Sequence, residues 1–138
     1  MFYSRRRFAW LLPAFAGGAR AAEKLTTSKA WRFEDLPVRV NGDNSSRAVF
    51  DLLTHSGFAI DAHYTELAPG KMPHAAHRHV HEELLIVREG TLEMTASGRQ
   101  TRIGPGSVAF LASNEEHGWR NVGDTRALYL VLALGREK

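Results

Sequence analysis

Apolar and polar residues alternate in short runs over most of the chain, and glycine, proline, asparagine and serine separate the runs. Alternation with a period of two is typical of strands that bury one face, and no helical period competes with it from residue 48 onward. Strands are predicted at 48–53, 58–67, 84–88, 91–96, 101–103, 107–111 and 127–134. The last run is almost wholly apolar, which predicts burial on both faces. These strands predict one all-β domain, a sandwich or a barrel, over residues 48–138.

Residues 22–47 predict an N-terminal arm or edge strand that precedes the barrel. Trp31, Phe33, Val38 and Val40 give it a weak apolar pattern, and the turn-rich run 41–46 ends it. Such an arm packs either on its own barrel or on the partner subunit of a homodimer. The sequence favours neither arrangement.

Residues 1–21 have the pattern of a signal peptide: a basic cluster, an apolar run and small residues before a cleavage site. Residues 4–8, Ser-Arg-Arg-Arg-Phe, resemble the twin-arginine export motif, and residues 19–21 fit a small-x-small cleavage site. The apolar run is too short and too glycine-rich to span a bilayer comfortably. The sequence therefore predicts a periplasmic protein with no stable membrane insertion after cleavage. An uncleaved anchor or a disordered basic arm is the alternative.

The net charge of +3 and the isoelectric point of about 9.6 come largely from this leader. Four of the 18 basic residues lie within it and none of the 15 acidic ones does, so 14 basic residues face 15 acidic residues afterwards, a net charge of −1. The basicity therefore gives no reason to expect nucleic acid as a partner. The absence of cysteine excludes disulfides and thiolate metal ligands.

Four of the seven histidines fall within residues 74–81, beside two glutamates. If His77 and His79 lie on one strand, both rings point to the same face, and Glu83 keeps that parity. Imidazole nitrogen and carboxylate oxygen are ligands that first-row divalent metals accept. The segment therefore predicts half of a metal site, and His117 is the only histidine further along the chain.

Other interpretations of these histidines remain open at this point. The whole cluster could be a solvated, pH-sensitive face without a metal. His74 follows a proline in a loop-like run and is expected at the surface, and His81 lies where the strand is expected to bend. His55 and His63 are expected to be surface residues or to lie behind the ligands. Glu82, His81 and His74 are candidate proton-transfer groups, and the sequence orients none of them.

The spacing of these residues resembles the two motifs of the cupin superfamily. The first runs from His77 through His79 and Glu83 to Gly90, with one, three and six intervening residues. The second runs from Gly106 through His117 to Asn121, with ten and three intervening residues. The resemblance implies a small cupin type-2 domain, an antiparallel jelly-roll β-barrel. It also implies a metal site inside that barrel with four ligands, His77, His79, Glu83 and His117.

The chain departs from these motifs at three positions. Ala112 and Asn114 stand where the family has proline and glycine, and Gly70 lies one residue further from His77 than the pattern expects. Asparagine tolerates the left-handed backbone conformation better than any residue except glycine, so Asn114 is expected to make the turn. The four implied ligands are unaffected.

Three imidazoles and one carboxylate would leave a divalent ion with a net charge of +1 and, at six-coordination, two adjacent open positions. Such a site suits a hydroxy acid, a dicarboxylate or an enediol. The predicted function is therefore a metal-dependent enzyme, an oxygenase, decarboxylase or isomerase acting on a small oxygenated metabolite. A non-catalytic cupin that binds a metal or small ligand for storage or sensing is the alternative. Iron or manganese is favoured, because twin-arginine substrates fold before export; zinc, nickel and copper remain alternatives.

Overall fold

The computed structural model describes residues 23–135, which form ten β-strands and one short 3-10 helix, Phe33–Asp35. The strands are β1 (Glu23–Lys24), β2 (Val38–Asn41), β3 (Asn44–Leu53), β4 (Ala59–Leu67), β5 (Glu82–Glu89), β6 (Leu92–Ala96), β7 (Arg99–Ile103), β8 (Val108–Leu111), β9 (His117–Asn121) and β10 (Ala127–Leu134). None of the described residues forms a helix with the length and apolar character needed to cross a membrane.

The strands form two sheets, and their inner faces enclose the core. The larger sheet has the order β1-β3-β4-β10-β5-β8, with β2 also paired to β3, and the smaller has the order β7-β6-β9. All pairs are antiparallel except β1 with β3. The core is made of Leu67, Leu85, Val87, Leu92, Ala109, Leu111, Trp119, Ala127, Tyr129 and Val131. This single all-β domain confirms the predicted antiparallel jelly-roll barrel.

Two strand predictions differ from the structure. The strand expected from residue 48 begins at Asn44, because the turn before it consists of only two residues, with Gly42 at φ +59° and Asn41 paired to Asn44. The following polar residues then pair with β2 and β4 and join the strand. Burial of β10 on both faces holds only at its start: on the outer face Leu128 is buried, whereas Leu130, Leu132 and Leu134 are half buried.

The N-terminal arm packs on its own barrel. Trp31 and Phe33 do not form the expected strand; Phe33 begins the 3-10 helix and its ring lies edge-on to Tyr64, with centroids 5.0 Å apart. The guanidinium of Arg47 lies 4.6 Å from the Phe33 ring, and β2 forms the expected edge strand after Pro37. Association into a homodimer stays a prediction, and the signal peptide at 1–21 lies outside the described residues.

The turn between β5 and β6 depends on Gly90. Its φ is +80°, and a Cβ atom added there would lie 2.6 Å from Ala127 Cα and 2.8 Å from Arg126 O. Both contacts are with the backbone beginning β10, so no side-chain rotation relieves them. Glycine is therefore required here for close approach as well as for backbone conformation.

We expect Gly90→Ala to lower the free energy of unfolding by at least about 2 kcal/mol, since backbone strain costs roughly 1–2 kcal/mol and overpacking roughly 1–3 kcal/mol. Urea denaturation measures this. Gly98→Ala is the matched control, because Gly98 has a similar φ of +78° but an added Cβ meets nothing within 4 Å. The control is expected to lose about 1 kcal/mol from strain alone. Equal losses in the two variants would contradict the close approach at Gly90.

Candidate metal centre

The segment between β4 and β5, residues 68–81, carries the clustered histidines and is not a regular strand. The prediction that His77 and His79 lie on one strand is therefore wrong: Pro73 has no N–H to donate, the chain bends there, and β5 begins only at Glu82. Instead, His77 N donates to His117 O (3.0 Å) and His117 N donates to His77 O (2.9 Å), as an isolated antiparallel bridge. Pairing between two distant parts of the chain brings the rings together.

Further backbone contacts fix the same segment along β9 and the loop before it. Gly70 N donates to Asn121 O at 2.9 Å, and Asn114 N donates to His79 O at 2.7 Å. Asn114 has φ +60°, which confirms that it makes the left-handed turn. Gly118 permits the close approach, because a Cβ atom there would lie 3.2 Å from Ala76 Cα.

The rings of His77, His79 and His117 lie around one point. Their centroids are 5.1 Å apart for His77 and His79, 5.0 Å for His77 and His117, and 4.7 Å for His79 and His117. One ring nitrogen from each lies within 4.8 Å of the others. His117 is 1% exposed, whereas His77 and His79 are half buried, so the cluster extends from the barrel interior towards the surface.

Glu83 extends from β5 into the same group. Its Oε1 lies 3.5 Å from His79 Nε2, and its Oε2 lies 3.8 Å from His117 Nε2. These distances exceed those of N–H···O hydrogen bonds. Two ligand atoms about 2.1 Å from one ion, at angles of about 90–110°, lie roughly 3.0–3.4 Å apart. Small movements of these side chains would therefore bring the ligand atoms to the spacing that one shared cation needs.

The rings of His79 and His117 each donate one hydrogen bond through Nδ1, which leaves Nε2 free to coordinate. His79 Nδ1 donates to His81 O at 2.8 Å, and His117 Nδ1 donates to Glu115 O at 2.9 Å. In a neutral ring the other nitrogen, Nε2, then carries a lone pair. Both Nε2 atoms and His77 Nδ1 are buried and have no hydrogen-bond partner within residues 23–135. Buried nitrogen atoms left in this state suit a metal ion.

The environment of His77 favours the neutral ring that a metal requires. Its burial, followed by the neighbouring His74, His117 and His79, lowers the pKa of His77, and the opposing effect of Glu83 is smaller. A neutral imidazole keeps a lone pair for coordination near neutral pH.

Comparison with known families now assigns the fold. The family described as "Cupin_2: Cupin domain" matches residues 63–133. The chain belongs to the cupin superfamily. No curated protein matches this cupin in sequence at a significant level.

Solved cupin structures are similar to the chain over most of its length. KdgF from Halomonas sp. is 18% identical, with 81% of this chain and 97% of that chain covered and a TM-score of 0.70. The polyketide cyclase RemF from Streptomyces resistomycificus is 21% identical, with 80% and 81% covered and a TM-score of 0.61. A predicted oxalate decarboxylase from Thermotoga maritima is 19% identical, with 78% and 100% covered and a TM-score of 0.65. At these identities the likeness shows the fold alone.

His81 of this cupin lies closer to the cluster than the sequence indicated. Its ring stacks on His79, with centroids 3.7 Å apart and planes 3° apart, and its Nε2 lies 3.4 Å from Glu83 Oε1. His79, His81 and Glu83 thus form a second group able to hold a metal. His74 is exposed, as expected, and its ring lies 4.3 Å from that of His77. The expected bend before β5 is what turns His81 inward.

A cavity of about 1190 Å³ opens beside Glu83 and is bounded by both sheets and the arm. Asp61, His63 and Thr65 of β4 line it, with Trp119 and Tyr129. Period-two alternation along the strand predicted at 58–67 puts these three residues on one face, but alternation alone does not indicate whether that face is the inner one. His63, expected at the surface or behind the ligands, is thus a cavity residue, with Nδ1 3.8 Å from Asp61 Oδ2.

Asn121, which ends the second cupin motif, supports the backbone and does not join the metal cluster. Its Nδ2 donates to Leu67 O (2.9 Å) and Thr125 O (2.8 Å), and its Oδ1 accepts from Gly123 N (3.0 Å). The residue is fully buried. Asn121 therefore ties β9 to the ends of two neighbouring segments.

Asn121→Ala is expected to lower the free energy of unfolding by about 2–4 kcal/mol, because it leaves buried backbone groups without partners. Urea denaturation of the metal-free protein gives this value. Gln100→Ala, which removes an exposed amide from edge strand β7, should change it by less than about 0.5 kcal/mol. A loss as small for Asn121 as for Gln100 would contradict its structural role.

Proposed function

We propose that this cupin binds one divalent transition metal through His77, His79, Glu83 and His117 and is a metal-dependent oxygenase, decarboxylase or isomerase. Its substrate in this proposal is a small oxygenated metabolite. The observation that carries the proposal is the set of three buried ring nitrogens, without partners in the described chain, beside a carboxylate at 3.5–3.8 Å. Buried polar atoms normally find a partner, and this donor set matches the preferences of iron, manganese, nickel and zinc.

When bound, such an ion supplies Lewis acidity and, if it is iron, manganese or copper, a place for O₂ to react. The protein residues hold the ion and orient the rings that coordinate it. The carbonyl groups of His81 and Glu115 hold the rings of His79 and His117 in the tautomer that coordinates. Glu83 offsets part of the ion's charge. Asp61 and His63 line the cavity with Oδ2 and Nδ1 3.8 Å apart, and this pair is the candidate for proton transfer.

The first test is metal content and stability. We expect one ion per chain by elemental analysis, and removal of the ion by a chelator should lower the melting temperature, because a ligand at 100 times its Kd stabilises the fold by about 2.7 kcal/mol. His79→Ala and His117→Ala should each weaken metal binding by about 100-fold or more. His55→Ala is the control, since His55 is exposed between β3 and β4 and lies outside the cluster. Unchanged metal affinity in both ligand variants would contradict the proposed site.

Experiments on the metal-loaded protein distinguish an enzyme from a protein that only binds its ligand. Oxygen uptake or substrate turnover by iron- or manganese-loaded protein, lost in His77→Ala and kept in His55→Ala, would establish an enzyme. A small molecule that raises the melting temperature without turnover would favour the alternative function in storage or sensing.

We also propose that the protein is exported to the periplasm through residues 1–21, and that it acquires iron or manganese in the cytoplasm before export. The support is the Ser-Arg-Arg-Arg-Phe run at residues 4–8 and the small residues at 19–21. Loading before export matters, because intrinsic affinity would favour copper or zinc outside the cytoplasm.

Replacement of Arg5, Arg6 and Arg7 together by lysine keeps the charge and is expected to hold the protein in the cytoplasm. Cell fractionation detects this, and Arg20→Lys, outside the motif, is the control that should still be exported. Export of the triple variant at the normal level would contradict the twin-arginine route. Uniform loading of the periplasmic protein with copper or zinc would contradict the proposed metal.

A further inference from the structure

The ring of His81 lies beside the proposed metal centre in an orientation that does not suit the same ion as His79. The planes of the two rings are 3° apart, and their centroids are 3.7 Å apart. An imidazole nitrogen directs its lone pair within the plane of its own ring, along a metal–nitrogen bond of about 2.1 Å. An ion close to both nitrogens would lie between the two planes, out of line with either lone pair. Two parallel rings at this separation therefore suit two ions.

Glu83 presents one carboxylate to both rings. Its Oε1 lies 3.5 Å from His79 Nε2 and 3.4 Å from His81 Nε2. Its Oε2 lies 3.8 Å from His117 Nε2, on the side of the proposed metal centre. A carboxylate has enough lone pairs to bind two ions at once. Glu83 can therefore bridge the proposed metal centre and a second ion beside His81.

Asp61 adds a second carboxylate across the same pocket. Ala133 pairs with Asp61 on one side and with Glu83 on the other, so the two acidic residues lie in one row, roughly 10 Å apart at the backbone. A pocket of about 180 Å³ lies there, and Asp61, His63, His81, Glu83 and Ala133 are among the residues that line it. The side chains of Asp61 and Glu83 are only 13% and 12% exposed. Negative charges held this far from water are stabilised by nearby cations.

We propose that this cupin binds a second, weaker divalent ion through His81, Glu83 and Asp61, about 3.5–4 Å from the first ion and bridged to it by Glu83. This inference rests on the proposed metal site. Imidazole and carboxylate are donors that manganese, iron and zinc accept. With one ion bound, Asp61 faces His63, and the second ion takes its carboxylate. Two ions at this spacing bind both oxygens of one substrate carboxylate, which a single ion does less well.

The second ion binds more weakly for an electrostatic reason. Two divalent charges at this distance repel each other, and the shared carboxylate of Glu83 offsets only part of the repulsion. The protein as isolated therefore carries one ion, and the second binds when metal is added.

Titration of the full chain with manganese, followed by electron paramagnetic resonance, tests this. Free manganese gives a sharp signal that broadens on binding, so its loss counts the bound ions. We expect one ion to bind tightly and a second to bind at least about 10-fold more weakly. Two manganese ions this close couple magnetically, so a spin-coupled signal should appear only as the second ion binds.

His81→Phe is the decisive variant, because phenylalanine keeps a ring to stack on His79 but has no nitrogen to coordinate. The backbone oxygen at position 81 still accepts the hydrogen bond from His79 Nδ1. This variant should keep the first ion, weaken the second by at least about 10-fold and lose the coupled signal. Asp61→Asn should also weaken only the second ion. His55→Ala is the control and should keep both ions, since His55 is exposed and lies outside both groups.

Saturation at one ion per chain, or a second ion without the coupled signal, would overturn this inference and leave the proposed metal site standing. Loss of the first ion in His81→Phe would overturn it as well, by assigning His81 to that ion. If His81→Phe does not fold, Asp61→Asn decides: an unchanged second ion overturns the inference, and a weakened one supports it. Failure of the chain to bind manganese, iron or any other divalent ion would overturn the metal site and this inference together.

Discussion

The paired backbone hydrogen bonds between His77 and His117 are the constraint on which the candidate site depends. They join a segment without regular secondary structure to the first residue of β9, forty positions along the chain. Each residue contributes its ring and its backbone to the same junction. The site is therefore not a set of side chains added to a finished barrel, because the contact that closes this end of the barrel is also the contact that assembles the cluster.

That junction requires small residues around it. Gly118 follows His117, and its missing Cβ leaves room for Ala76. Three positions after Gly118, Asn121 has a different role: its side chain forms hydrogen bonds with Leu67 O, Thr125 O and Gly123 N. β9 thus carries one residue that lets a neighbouring backbone approach and one whose side chain holds other backbone segments in place.

The sequence predicted the fold and the residues of the cluster better than it predicted the geometry. Alternating short strands and turn residues indicated an all-β barrel, and the spacing around His77 and His117 resembled the cupin motifs. The rings of His77 and His79 converge as parity predicted, but they do so in a segment that is not a regular strand, through a bridge to β9 that no local pattern encodes. For His81 the sequence indicated a bend but not its direction, and the ring of His81 stacks on that of His79.

The cavity residues show a second limit of local patterns. Alternation grouped Asp61, His63 and Thr65 correctly, but a strand of mixed polarity does not say which face is inside. The apolar residues on the other face of β4 indicated burial, and that burial is supplied in part by the arm, through contacts such as Phe33 with Tyr64. An arm that covers the outer face lets an inner face be polar, so the choice of face depends on residues 20 or more positions away.

The register of the larger sheet explains why the polar site and the apolar core share one interior. Ala133 pairs with both Asp61 and Glu83, so the smallest side chain of that row stands between two carboxylates and leaves space above them. Two residues back, Val131 pairs with His63 and Leu85, and larger apolar groups begin to fill the barrel. β10 pairs with β4 on one side and β5 on the other, so its residues set the same rows on all three strands. The boundary between site and core therefore lies between the row of Ala133 and the row of Val131. Asp61 and Glu83 lie on the alanine side, where two histidine rings approach Glu83 to 3.5 and 3.8 Å.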